Sequence, residues 1–191
     1  MNDKKSKILT AALSVFLRYG FRRVNMHDLA EAAGVSRPAL YVLFKNKEEI
    51  FVGVFLRWID ETIAEVKAAM AAAATPEEKI ERAFEIWALR PFEMTLASPE
   101  AQELIECSLG FAQAAQREGY ATFEATITPV LASFAGTPPV RGHVTPERSA
   151  HVLASAVRGF KLAATTPDEL RQLIKELLTL FFGVRPSGMT G

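Results

Sequence analysis

The chain has 191 residues, 49% hydrophobic and 23% charged, enough apolar material for a substantial core and too much for a disordered or fibrous chain. Its 22 basic and 22 acidic side chains cancel, so net charge names no partner. Their distribution is uneven: residues 1–47 carry nine Lys or Arg against three acids, a net of +6, and the rest of the chain is −6. A basic end on an acidic remainder is the asymmetry that attraction to phosphate requires.

The first expected element is an amphipathic helix over residues 4–19, with Ile8, Ala11, Ala12, Val15 and Phe16 on one face. Its apolar stretch is interrupted by Thr10 and Ser14 and followed at once by Arg18, which makes a poor secretion signal, and a cytoplasmic location is expected. No apolar run reaches the ~18 residues of a membrane span, so no membrane partner is expected. Gly20 ends the helix. Asn25 caps a short second helix with Leu29 and Ala30 facing inward, and Gly34 closes it. Ser36 caps a third helix, RPALYVLF, whose Pro38 is tolerated in the first turn and whose Leu40 and Phe44 form a buried face. Asn46 caps a long fourth helix, with Glu49 at the position of a reciprocal cap.

Four later helix starts share one pattern: Thr75-Pro76-Glu77, Ser98-Pro99-Glu100, Thr145-Pro146-Glu147 and Thr166-Pro167-Asp168. The hydroxyl caps, proline sits where no N–H is needed, and an acid meets the positive end of the helix dipole. Glu78 and Glu169 are placed to complete capping boxes with Thr75 and Thr166. Almost nothing alternates as a strand would. The expected architecture is therefore all-α, about nine helices, with one surface loop at residues 135–145. Cys107, the single cysteine, lies in the apolar run LIECSLGF and is expected to be a buried, inert thiol.

Two short helices joined by a glycine-containing turn, the second opening Ser-Arg-Pro, describe a helix-turn-helix. The run GFRRVNMHDLAEAAGVSRPALYVLFKNKEEI, residues 20–50, resembles the signature of the tetracycline-repressor (TetR/AcrR) family: Ala-Gly-Val-Ser, Leu-Tyr, Phe and Asn-Lys-Glu fall at the family's spacing. The resemblance implies a helix-turn-helix DNA-binding domain at residues 1–47 and a ligand-binding and dimerisation domain at residues 48–191. Position by position, it implies that Asn25 and its neighbouring amides grip a phosphate and that Ser36, Arg37 and Pro38 lead the recognition helix. Arg37 is the candidate for base readout, since a guanidinium can hold guanine O6 and N7 together. His27 faces the same groove, Tyr41 and Lys47 resemble phosphate contacts, and Lys45, Arg22 and Arg23 add diffuse attraction. The chain departs from the family at Leu43, where an aromatic or histidine contacts the backbone, and at Val24, where threonine is frequent.

Beyond the head, aromatic residues gather on the fourth and middle helices: Phe55, Trp58, Phe84, Trp87, Phe92, Phe111, Tyr120 and Phe123. Each fits a packed core; the resemblance implies that some line an apolar effector cavity, with Arg90-Pro91 as a helix break beside it. Polar orienting groups are few, so the expected effector is small and mainly hydrophobic. The last two helices offer Leu170, Leu173, Ile174, Leu177, Leu178 and Phe181 opposite Val152, Ala156, Gly159, Phe160 and Ala163. Doubled by two-fold symmetry, such a pair makes a four-helix bundle, and a homodimer sets two recognition helices about one DNA turn (~34 Å) apart on double-stranded, palindromic DNA. The sequence holds no metal-ligand spacing, phosphate loop or nucleophile motif; His27, His143 and His151 stand alone. The expected function is a non-enzymatic transcriptional repressor without cofactor or metal, released from its operator by the effector. The alternative is a DNA-binding scaffold of the same fold controlled by a protein partner.

Overall fold

The computed structural model describes residues 3–134 and 144–183; the expected loop lies outside the described residues up to His143. The chain runs through α1 (Asp3–Tyr19), α2 (Met26–Ala32), α3 (Arg37–Leu43) and α4 (Lys47–Ala72). It continues through α5 (Pro76–Phe84), a π-helical turn (Glu85–Leu89), α6 (Arg90–Ala97), α7 (Pro99–Gly110) and α8 (Gln113–Ala132), and ends with α9 (Pro146–Ala163) and α10 (Pro167–Phe182). Counting residues 76–97 as one continuous helix, the described residues hold nine helices and no strand. The fold is all-α. Among the described residues, no helix is long and apolar enough to cross a membrane.

The helix starts follow the side-chain chemistry at each cap. Asn25 accepts from the backbone N–H groups of His27 and Asp28, and Asp28 returns the bond to the Asn25 N–H at 2.8 Å. Thr75, Ser98, Thr145 and Thr166 each accept from the N–H three residues on, with proline in the first turn. The glutamate caps differ from expectation in one detail. Glu78 accepts from Ala74 N–H and Glu169 from Thr165 N–H, each one residue before the cap itself. Glu49 does the same at Lys45 N–H, with Asn46 capping. These backbone bonds hold the Glu78 and Glu169 carboxyls below the ordinary carboxylate value.

Arg90-Pro91 neither stops the helix nor leaves it regular. Pro91 has no N–H to donate, and its ring crowds the preceding turn. The backbone responds one turn earlier by widening to i→i+5 bonding, Arg90 N–H donating to Glu85 C=O, and then continues helically to Ala97.

The chain forms two compact units. The first comprises residues 1–61 and 94–119, the second residues 62–93 and 120–191. In the first, Ile8, Phe16, Leu29, Leu40 and Ile50 are all but fully buried, together with Leu9, Ala12, Phe21, Phe44 and Phe51. On α1, Leu9 takes a buried place while Ala11 and Val15 are only half-buried. The second unit is centred on Ile80, Phe84, Leu89, Phe123, Ile127, Leu153 and Leu170.

Candidate nucleic-acid interface and effector site

The α2–turn–α3 segment is rigid for local reasons. Gly34 turns the chain at φ +64°, and Val35 N–H donates back to Ala30 C=O at 3.0 Å. Ser36 Oγ then accepts from Ala39 N–H at 3.3 Å to start α3. One face of α3 is fixed in the core by Leu40, fully buried, with Phe44 just beyond the helix end at 6% exposure. The opposite face is bare: Arg37, Pro38, Tyr41 and Val42 are all exposed. The Arg37 guanidinium lies 5.7 Å from the centre of the Tyr41 ring, which props the cation outward over its own helix. Asn25, His27, Ser36 and Lys45 are also exposed, so seven of the eight expected DNA-facing residues present themselves to solvent.

Lys47 is the eighth and differs. Its ammonium donates to Phe21 C=O and Val24 C=O, both at 2.8 Å, and sits 4.2 Å from the Phe21 ring centre. Two of its three donors therefore hold the turn between α1 and α2, leaving one for an outside acceptor. Leu43 is half-buried against the head core, and Val24 is 2% exposed, so both departures from the family pattern serve packing here. Val42, which no motif singled out, is 83% exposed in the middle of the same bare face. An amphipathic reading of RPALYVLF with Leu40 and Phe44 inward would have placed it outside.

The same turn is gripped from α7. Arg22 N–H donates to Glu103 Oε1 at 2.7 Å, and the Arg22 guanidinium lies within 3.9 Å of both Glu103 and Glu106. Gly20, at φ +78°, makes room for this contact; a Cβ there would clash with Glu103 Oε2. Phe111, at the end of α7, packs against Phe21 and Phe51 with ring centres 5.0 and 5.2 Å apart. Burial, with Glu103 close by, pushes the half-buried Cys107 thiol up, away from the reactive thiolate.

The aromatic candidates divide between the two units. Phe55 and Trp58 stack at 5.7 Å in the first unit, where Phe111 also lies. In the second, Trp87 stacks on Phe123 at 4.8 Å and 9°, Tyr120 meets Trp87 edge-on at 5.5 Å, and Phe84 meets Phe123 at 5.3 Å. Phe92 is buried in the same unit. The exposed Arg158 places its guanidinium 5.2 Å from the Tyr120 ring, and Tyr120's burial raises its hydroxyl above the ordinary value. Arg158 was not among the expected effector residues, because α9 reads from sequence as a packing helix. A surface groove beside α1 and α2 is lined by Arg18, Tyr19, Arg23, Asp28 and Glu31, and none of the eight aromatic candidates borders it.

On α10, Leu170 and Ile174 turn inward with Leu178 and Phe182, buried in their own chain. Leu173, Leu177 and Phe181 are half-exposed and Leu180 is 80% exposed. On α9, Val152 is 46% exposed, Ala156 and Phe160 are half-exposed, and Gly159 has open space where a Cβ would be. The alternation leaves an apolar outer seam on both helices.

Residues 8–54 match the family model described as "Bacterial regulatory proteins, tetR family". The HTH-type transcriptional activator FasR of Mycolicibacterium smegmatis is 30% identical over 84 residues, 44% of this chain and 38% of that protein. The chain spans only a third to about half the length of the curated relatives it matches. Among solved structures, the fatty acid degradation regulator FadR of Bacillus halodurans superposes with a TM-score of 0.65 at 19% identity, over 97% of this chain and 98% of that one. Thermus thermophilus FadR, a repressor solved with lauroyl-CoA, gives 0.64 at 22%, over 98% and 99%. At those identities the likeness concerns the fold. The head, residues 8–54, thus matches the tetR family of bacterial regulatory proteins, and the fold of the whole chain is that of the solved regulators it superposes on.

Proposed function

We propose that this chain is a dimeric transcriptional repressor whose residues 1–47 bind a palindromic operator and whose residues 48–191 take a small, mainly hydrophobic effector that releases the DNA. The observation that carries the reading is α3 itself: a helix locked by Leu40 and Phe44, presenting Arg37, Pro38, Tyr41 and Val42 bare to solvent within a segment of net charge +6. Arg37 reads a base edge; Tyr41, His27, Asn25 and Lys45 hold phosphates; Lys47 holds the head's own turn and has one donor left.

The outer seam of α9 and α10 supports self-association through Val152, Ala156, Phe160, Leu173, Leu177 and Phe181, with Leu180 at its edge. The cluster of Trp87, Tyr120, Phe123 and Phe84 supports an apolar ligand, and Arg158 beside it supports an anionic end on that ligand. Release then follows from linkage: an effector that binds better to the conformation with the wrong head spacing lowers DNA affinity by the same factor as DNA lowers effector affinity. The Glu103 grip on the α1–α2 turn is the contact through which a shift of α7 would reach the head.

The test is selection of binding sites from random duplex DNA with the purified chain, followed by titration of the selected complex with lauroyl-CoA and dodecanoate. An enriched palindrome, released by either compound, is expected. No enriched sequence overturns DNA recognition; an enriched palindrome that hydrophobic compounds never release overturns the effector.

A further inference from the structure

The bare face of α3 carries two parallel rows. Arg37 and Tyr41, four residues apart, form a cation-on-ring pair. Pro38 and Val42, also four apart, form an apolar row beside it. Val42 is 83% exposed. Neither burial nor local preference accounts for it: a β-branched residue at an exposed helical position loses side-chain freedom and gains no packing. Val42 stands beside Arg37 in a segment of nine cations to three acids, residues 1–47, which favours a polyanion over an apolar protein face as its partner. The one apolar feature that duplex DNA presents in its major groove is the C5-methyl group of thymine.

We propose that Val42 is a specificity-determining residue that reads a thymine methyl in each half-site, next to the base read by Arg37. The proposal rests on the DNA-binding reading above and adds a base identity to it. Pro38 and Val42 together form a shallow apolar step that excludes water from the methyl, while the Arg37–Tyr41 row supplies charge and hydrogen bonds alongside. Discrimination against cytosine at that position comes from the missing methyl and from the cytosine amino group left facing an apolar surface.

The experiment uses the full chain and its selected operator, with each thymine replaced in turn by uracil, which removes only the methyl and keeps every hydrogen-bonding group. At one position per half-site, the wild-type chain is expected to bind the singly substituted operator about 4-fold more weakly, the scale of one buried methyl. Val42→Ala is expected to bind the thymine operator about that much more weakly and to lose the distinction between thymine and uracil at that position alone. The residue is exposed, and alanine is the better helix former, so the variant keeps its fold; its thermal unfolding serves as the control. Equal uracil penalties in wild type and Val42→Ala, or no penalty at any thymine, would overturn the role of Val42 while leaving DNA binding intact. Selection that returns no enriched sequence would overturn the DNA-binding reading beneath it.

Discussion

Gly20 and Gly34 both hold positive φ, +78° and +64°, yet only one of them touches anything beyond its turn. A Cβ at Gly34 meets nothing within 4 Å, whereas at Gly20 it collides with Glu103. Replacing Gly34 by alanine should therefore cost only the left-handed strain, about 1–2 kcal/mol. Gly20→Ala should cost that strain plus the displaced Glu103 carboxylate, giving a larger loss in urea unfolding; equal losses would mean the Glu103 contact is worth nothing. The two cations of the head separate in the same way. Arg37→Ala should leave unfolding unchanged and cost ~1–3 kcal/mol at one base position. Lys47→Met strips two carbonyls of their donor and should lower stability by about 1–3 kcal/mol before any DNA is added. A Lys47 variant as stable as wild type would return that residue to a purely DNA-facing role. The sequence marked both as DNA contacts because spacing shows which positions carry charge. It cannot show that a lysine's ammonium has already found two carbonyls more than twenty residues away.

At the scale of elements, caps and glycines made the helices legible: Asn25, Ser36, Thr75, Ser98, Thr145 and Thr166 all start helices where side-chain chemistry alone places them. What sequence did not give was how strain is absorbed. Arg90-Pro91 announced a break, but the widened turn sits at Glu85–Leu89, upstream, since the proline's missing donor is felt by the preceding turn. The glutamate caps carry a pH signature. Glu78 and Glu169 have carboxyls lowered below their ordinary 4.5 by backbone hydrogen bonds, so the stability they contribute is present above that value and lost as the pH falls through their folded values. A double Glu78→Gln, Glu169→Gln variant should melt below wild type at neutral pH, with the two curves converging in acid. Parallel melting curves across that range would show that these caps carry no charge-dependent stability.

For the whole molecule, the +6 and −6 division and the run from Gly20 to Ile50 located the basic head that the family model matches, while the body's packing needed the structure. Leu170, Ile174 and Leu178 looked identical in period to Leu173, Leu177 and Phe181, and only packing showed which set is buried within its own chain. The aromatic candidates likewise fell into two groups that periodicity could not separate. If the outer seam joins two chains, Val152→Glu with Leu180→Glu should convert a dimer to a folded monomer by sedimentation, because both residues are already exposed. The monomer should lose the cooperative binding of a full palindrome while each head keeps weak affinity for a half-site. A dimer that survives both charges would move the interface elsewhere. The central claim is that two identical heads read one duplex together, and a hydroxyl-radical footprint of the chain on its selected operator tests it most directly. The account predicts two protected patches centred about one helical turn (~34 Å) apart, with two chains per duplex; a single patch holding one chain, or no protection at all, would contradict it.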